Sequence, residues 1–232
     1  MCPVTCISGI DTNIGKTIAT GLMARTLLEQ GYSVITQKVV QTGCKGIAED
    51  ILQHRKLMGV ELFPEDKNGM TCPYVFSKPC SPHLAAELEQ KRIDTDKITL
   101  ATQSLAAQYD HVLLEGAGGL LVPLTNKVTF LYYLQEQNYP LVLVSSPKLG
   151  SINHTLSALE LAKGRGIEVR GIIYNCYDSC DDAICSDSRN VFANAMQEYA
   201  FSPLIVDMLS TQKYQNSGSF LDCFQLFETK FK

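Results

Sequence analysis

Gly9-Ile10-Asp11-Thr12-Asn13-Ile14-Gly15-Lys16-Thr17 is the stretch on which the reading of this chain turns. A short apolar run, Val4–Ser8, precedes it. From Lys16 to about Gln30, the residues Ile18, Leu22 and Thr26 share one helical face, and Gly31 supplies a stop. The phosphate-loop pattern G-x-x-x-x-G-K-[ST] requires glycine at position 10, where this chain carries Ile10, so the loop is one residue longer between its glycines. The physics survives the extra residue. Successive backbone N–H groups and a helix N-terminus can still wrap a phosphate chain, with Lys16 against the β- and γ-phosphates and the Thr17 hydroxyl on Mg²⁺. A chance G-K-T at a helix start is the plain alternative. Strand before, helix after and glycine before lysine together favour phosphate binding.

The pattern continues outward from that loop. Ser33–Val40 is rich in β-branched residues and completes a βαβ unit. Ala48–Met58 and Pro82–Gln90 read as helices, the second with Ser81 as its N-cap. Ile98, Ala101 and Leu105 mark another, ending near Tyr109. His111–Glu115 is a short apolar strand, and Leu141–Ser145 is apolar nearly throughout, as expected of a strand buried on both faces. A helical face (Ile152, Leu156, Leu159) follows, then strands at Val169–Tyr174 and Leu204–Val206, and a terminal helix over Phe220–Phe231. This alternation implies a single α/β domain over residues 1–232, with a doubly wound, mostly parallel sheet and helices on both faces. Such folds bind ligands beyond the carboxyl ends of their strands.

Composition narrows the class. The chain has 232 residues, 45% of them hydrophobic, which suffices for a substantial core. Its formal net charge of −4 leaves no electrostatic footprint for nucleic acid or an anionic membrane. Nine cysteines, at positions 2, 6, 44, 72, 80, 176, 180, 185 and 223, contain no C-x-x-C pair and no metal-ligand spacing. They read as small hydrophobes in a reducing compartment. With no signal-peptide pattern and no apolar run near the length of a membrane span, the expectation is a cytoplasmic protein.

The strand ends carry the chemistry. Lys38, inside a β-branched run, either snorkels to the surface or faces the site, and the residues alone leave both open. Glu115 ends an apolar strand just before Gly116-Ala117-Gly118-Gly119, the expected place for a carboxylate that binds Mg²⁺ directly or through water. Asp50 is a weaker candidate, since it can equally be the first-turn acid of a helix.

Taken together, these segments resemble the dethiobiotin synthetases, whose loop reads G-T-D-T-x-V-G-K-T with the same longer glycine spacing. Further matches are Lys38 with Thr42-Gly43, Ser81-Pro82-His83, Glu115-Gly116-Ala117-Gly118-Gly119, Lys148-Leu149-Gly150-Ser151-Ile152-Asn153-His154, and a strand ending in Asn175. They run in family order from residue 9 to about residue 175. The resemblance implies a P-loop NTPase-like fold and an ATP- and Mg²⁺-dependent ligase acting in biotin biosynthesis. It would carboxylate 7,8-diaminononanoate with CO₂ and close the ring to dethiobiotin through a carbamate and a carbamic-phosphoric anhydride. The implied catalytic residues are Lys38, Lys16 and Thr12. Nucleotide binding falls to Asn13, Ile14, Gly15, Lys16, Thr17, Ile18, Asp50, Glu115, Gly116, Ala117, Gly118, Asn175 and Cys176, with Asn175 on the adenine edge. Thr17, Asp50 and Glu115 would hold Mg²⁺. Thr42, Gly150, Ser151, Ile152 and Asn153 would hold the substrate, the last four as a helix N-terminus for its carboxylate. Ser151 is also expected as an ordinary N-cap. In the family this anchor comes from a partner subunit, which implies a homodimer.

This chain departs from the family at four places. Val39 stands where proline usually follows the lysine, and Asn13 where the loop is commonly acidic. Asn175-Cys176 replaces an N-D pair, and Leu204–Leu209 replaces a G-x-I-P segment that lines the adenine pocket. The last two point to a rearranged base pocket and leave the phosphate chemistry untouched. Related amide synthases of the cobyrinic acid type need a glutaminase domain for which no residues remain. A ParA/MinD-like partitioning or regulatory ATPase is the alternative. Such proteins typically carry a second lysine early in the loop, where this chain has Asp11, and Phe220–Lys232 is too poor in basic residues for a membrane anchor.

Overall fold

The computed structural model describes residues 3–177, 181–210, 214 and 220–227. The chain runs β1 (Val4–Gly9), α1 (Lys16–Glu29), β2 (Val34–Lys38), β3 (Gln41–Thr42), α2 (Glu49–Met58), α3 (Pro64–Lys67), β4 (Val75–Phe76) and α4 (Pro82–Leu88). It continues through α5 (Thr95–Ala106), β5 (His111–Glu115), α6 (Phe130–Gln137), β6 (Leu141–Ser145), α7 (Ser151–Gly164), β7 (Val169–Asn175), α8 (Asp182–Glu198) and β8 (Ile205–Met208), and a 3-10 turn spans Leu221–Leu226. Six strands form one sheet in the order β2-β5-β1-β6-β7-β8, with every pairing parallel. β3 and β4 form a separate two-stranded parallel ribbon. The doubly wound parallel architecture expected from the alternation is therefore what the chain adopts.

Side chains alternate across each strand, so successive residues enter opposite cores. Cys6, Val112, Leu114, Leu141, Leu143 and Ile172 pack on the side of α4 to α8. Ile7, Leu113, Val142, Val144 and Ile173 pack on the other side, against α1 residues such as Ala19, Leu22 and Leu27. Burial on both faces explains why these strands read as continuous apolar runs.

Register sets the site. Lys38 stands opposite Glu115 where β2 meets β5, and Glu115 pairs across with Ile7 of β1, two residues before Gly9. The carboxyl ends of three adjacent strands thus deliver the loop, the lysine and the carboxylate to one place. Connections leave β1 toward β2 and leave β6 toward β7 in the opposite direction, so the winding reverses between β1 and β6. That crevice is where a doubly wound sheet binds ligands.

Several elements differ from expectation. α3, α6 and α8 have no counterpart in the sequence reading. Phe130-Leu131-Tyr132-Tyr133-Leu134 is too densely apolar for a 3.6-residue period to stand out, yet Thr129 caps it, its hydroxyl accepting from the Tyr132 N–H at 3.3 Å. The C-terminal segment expected as a helix is a 3-10 turn over Leu221–Leu226, and 228–231 lie outside the described residues. Ser81 is the N-cap of α4 as expected, but its side chain makes no capping bond. Among the described residues no helix is long and apolar enough to cross a membrane, and none of the seven described cysteines forms a disulfide.

Candidate active site

The loop after β1 folds over a cleft of about 460 Å³ lined by Thr12, Asn13, Gly15, Lys16, Thr17, Ile18, Lys38, Thr42, Asp50, Glu115, Ala117 and Gly118, with Val40 and Gln41 beside them. Twelve residues singled out from the sequence therefore share one cavity. Cavities of about 520 Å³ open elsewhere, at the amino ends of β7 and β8 and beside α4, but neither lies near the loop.

Gly15 must be glycine. Its φ of +102° lies in the left-handed region, and a Cβ there would sit 2.5 Å from Asn175 Nδ2. Behind it, Lys16 opens α1 and is buried to 6% exposure. Its ammonium donates to the Asp11 carbonyl at 2.7 Å. Burial first, and the charge of Lys38 second, pull the Lys16 pKa down to about 8. An anion beside it would offset both effects and favour the charged ammonium.

Lys38 answers the question the residues left open, because it faces the site and is buried. Its three N–H groups go to Asp50 Oδ2 at 2.5 Å, Glu115 Oε1 at 2.7 Å and the Gly116 carbonyl at 3.0 Å. Burial works against its charge, but the Glu115 and Asp50 carboxylates overrule it and hold the pKa above that of an ordinary lysine. Glu115 is fully buried. Burial would raise its pKa, yet the Lys38 charge and the His54 hydrogen bond hold it well below the usual carboxylate range. All three Lys38 donors are taken in this arrangement. Asp50, at 23% side-chain exposure against 0% for Glu115, is the partner most readily exchanged.

The oxygens of Thr17, Asp50 and Glu115 fit a magnesium ion. The Thr17 hydroxyl donates to Glu115 Oε1 at 3.1 Å, and Asp50 joins the same carboxylate through Lys38. Among the described residues no cluster of three or more His, Cys, Asp and Glu gathers around one point. A hydroxyl with one or two carboxylates is the sparse hard-oxygen set that suits Mg²⁺, which keeps waters and takes phosphate oxygens.

Other sites are placed less directly. Thr12, in the exposed turn, donates its N–H to Asp11 Oδ1 at 2.7 Å. Ile14 is buried, and its carbonyl accepts from Asn175 Nδ2 at 2.8 Å. The Gly116 N–H is tied into the sheet through the Ile7 carbonyl at 2.9 Å. Asn175 also accepts from the Tyr177 N–H at 3.1 Å, so its amide already braces the loop from beneath. Cys176 follows with its N–H on the Met208 carbonyl. Gly150 caps α7, with φ +89°, whereas Ser151 is inside the helix with its hydroxyl near Ser146 Oγ at 3.3 Å. The expectation that Ser151 caps the helix is thereby corrected. Gly150, Ser151, Ile152 and Asn153 lie outside the cleft, in the loop after β6 and the first turn of α7.

Comparison with known proteins agrees with the site. A family model described as an AAA domain matches residues 5–201. The ATP-dependent dethiobiotin synthetase BioD 2 of Pasteurella multocida is 52% identical over 212 residues, covering 90% of this chain and 100% of that protein. The chain belongs to the dethiobiotin synthetase family. The synthetase of the same name from Haemophilus influenzae is 59% identical over 175 residues, covering 75% of this chain and 92% of its own. Among solved structures, the MinD cell division protein of Aquifex aeolicus aligns with a TM-score of 0.55 over 99% of this chain and 98% of that one, at 14% identity. A likeness that remote shows a shared fold alone, while the two synthetase relatives share more than half of the aligned residues with this chain. The partitioning-ATPase alternative has only the fold on its side.

His54 is the residue that the sequence reading missed. It is fully buried on α2, one helical turn beyond Asp50, with Nε2 2.7 Å from Glu115 Oε2. The four-residue spacing from Asp50 was the available signal, since residues so spaced share a helix face.

Proposed function

We propose that this chain catalyses the ATP-dependent carboxylation of 7,8-diaminononanoate and its closure to dethiobiotin, in the cytoplasm and as one domain over residues 1–232. The observation that carries the reading is the pair of buried lysines, Lys16 and Lys38, at one strand-end cleft with Glu115 and Asp50. An amine of the substrate adds to CO₂ and loses a proton, giving a carbamate. The carbamate oxygen attacks the γ-phosphorus of ATP, ADP departs, and a carbamic-phosphoric anhydride results. The second amine then attacks the carbamoyl carbon, loses its proton and expels phosphate, closing the cyclic urea.

Negative charge accumulates on the carbamate and the transferring phosphoryl group, and a preorganised pair of cations is suited to it. Lys16 follows the loop to the β/γ-phosphates, and Thr12 lies beside the reacting centre. Lys38 exchanges Asp50 for a substrate oxygen while Glu115 keeps it in place. Thr42 lines the substrate side of the cleft. When bound through Thr17, Asp50 and Glu115, Mg²⁺ supplies charge neutralisation to the phosphates. Asn175 and Cys176 are assigned to the base end of the site, where the Asn175 amide is already bonded to the Ile14 carbonyl and the Tyr177 N–H.

The substrate carboxylate is anchored by Gly150, Ser151, Ile152 and Asn153 of a second copy, in a homodimer. Support comes from the Ile152 and Asn153 N–H groups in the first turn of α7, which helix geometry leaves without intrahelical acceptors, whereas the Ser151 N–H is held by the Lys148 carbonyl at 3.0 Å. Beside them, Leu149 is fully exposed.

Purified protein given 7,8-diaminononanoate, bicarbonate and ATP should yield dethiobiotin by mass spectrometry. ATP hydrolysis that ignores the diamine, with no cyclic urea formed, would refute the assignment.

A further inference from the structure

Glu115 is held on both sides. Oε1 takes Lys38 and Thr17 from the cleft, whereas Oε2 is reached from behind by His54 Nε2 at 2.7 Å. The other imidazole nitrogen, Nδ1, lies 3.0 Å from Thr36 Oγ1. That hydroxyl also accepts from Arg55 Nη1 at 2.7 Å. Arg55 in turn is gripped by Asp66, with Nε and Nη2 donating to the two carboxylate oxygens at 2.8 Å each. Asp66 is itself held by the Thr71 hydroxyl at 2.7 Å. His54, Thr36, Arg55, Asp66, Thr71 and Glu115 are all buried.

Counting donors gives the chain a direction. Arginine only donates, so Thr36 Oγ1 accepts from Arg55 and has one proton of its own to give. His54 Nδ1 is the acceptor beside it. Of the two neutral tautomers, only the one with its proton on Nε2 donates to Glu115 and turns no lone pair toward a carboxylate oxygen.

We propose that His54 is a positioning residue for Glu115, fixing Oε2 from behind so that Oε1 is presented to the cleft. This rests on the reading above that Glu115 helps to hold the divalent cation. α2 thereby sets both carboxylates of the site, Asp50 through its own side chain and Glu115 through His54, while Arg55 ties the helix to β2. Partners that orient ligands in this way typically change metal affinity 10- to 100-fold when lost.

The test uses the full chain, Mn²⁺ as the probe and a non-hydrolysable ATP analogue, with free Mn²⁺ read by electron paramagnetic resonance. His54→Leu should raise the Mn²⁺ Kd at least about tenfold while metal-free nucleotide affinity stays within about twofold. His54→Gln, whose amide N–H can reach the same oxygen, should recover most of the loss. A folded His54→Leu protein with wild-type Mn²⁺ affinity overturns the proposal, as does a glutamine variant no better than leucine. Should the leucine variant fail to fold, the ¹⁵N spectrum of labelled wild-type histidine decides. A proton on Nε2 supports the relay, and a bare Nε2 with the proton on Nδ1 overturns it. Wild-type protein that binds no Mn²⁺ with nucleotide refutes the metal role of Glu115 instead, and the ¹⁵N result still decides what His54 does.

Discussion

At the Lys38 end of the cleft, charge is countered by charge in a buried network. Lys38 satisfies Asp50, Glu115 and the Gly116 carbonyl, and Glu115 is backed by His54, Thr36, Arg55 and Asp66. At the Asn175 end, a single neutral amide braces the loop through the Ile14 carbonyl, and the Arg189–Asp207 ion pair beside Cys176 is partly exposed at 32% and 44%. Buried charges cannot be rearranged cheaply, because removing one leaves its partner uncompensated. A neutral amide and a solvated ion pair can be. The phosphate end should therefore tolerate almost no substitution, and the base end should tolerate much more.

The largest break in that contrast is expected at Lys38. Lys38→Ala should lower dethiobiotin formation at least about a thousandfold, on the order of 4 kcal/mol of transition-state stabilisation. Nucleotide affinity, carried mainly by the loop and Lys16, should change far less. Lys38→Arg should not rescue, since a planar fork cannot meet three partners placed around an ammonium. Single-turnover product formation, with nucleotide binding measured separately, checks both. A fast alanine variant would remove Lys38 from the chemistry.

Next comes the back of the network. Asp66→Asn leaves the Arg55 guanidinium buried without its counter-charge and should cost about 3 kcal/mol in denaturant unfolding. Burial favours the neutral acid at Asp66, but the Arg55 and Thr71 hydrogen bonds overrule it and hold its pKa below the ordinary 3.8. The folded carboxyl thus has the lower pKa, so its stabilisation is present above about pH 4 and lost as pH falls through the folded value. The wild-type protein should lose stability on that acid limb more steeply than Asp66→Asn does. Equal slopes would show that the pair contributes nothing to folding.

What was readable from residues follows the same division. Glycine spacing with Lys16, and Glu115, were legible because the loop and the carboxylate follow the boundaries of apolar runs, whereas the direction of Lys38 was left open by the residues alone. Sheet order brought them together, with Lys38 opposite Glu115 in register. His54 was not legible as part of the site, since its role depends on which face of α2 turns toward β5. Asn175 was legible only in part. Its position at a strand end suggested base recognition, but its bond to Ile14 spans 161 residues and exists only once the loop packs on β7. α8, with its polar sequence capped by Asp181, offered no apolar run to start from, although Phe192 and Met196 anchor it in the core.

Asn175 separates the two ends most finely. If its amide chiefly braces the loop, Asn175→Ala should raise the KM for ATP, GTP and CTP by the same factor, about tenfold or 1.4 kcal/mol. If it reads adenine, the loss should fall on ATP alone, because a base-specific hydrogen bond is missing only for the base that made it. The geometry favours the first outcome. Nδ2 is committed to Ile14 and Oδ1 to the Tyr177 N–H, and any side chain at Gly15 would collide with the same amide. Parallel KM measurements on the three nucleotides distinguish the two roles, and a loss confined to ATP would mean that the base end is as tightly specified as the phosphate end.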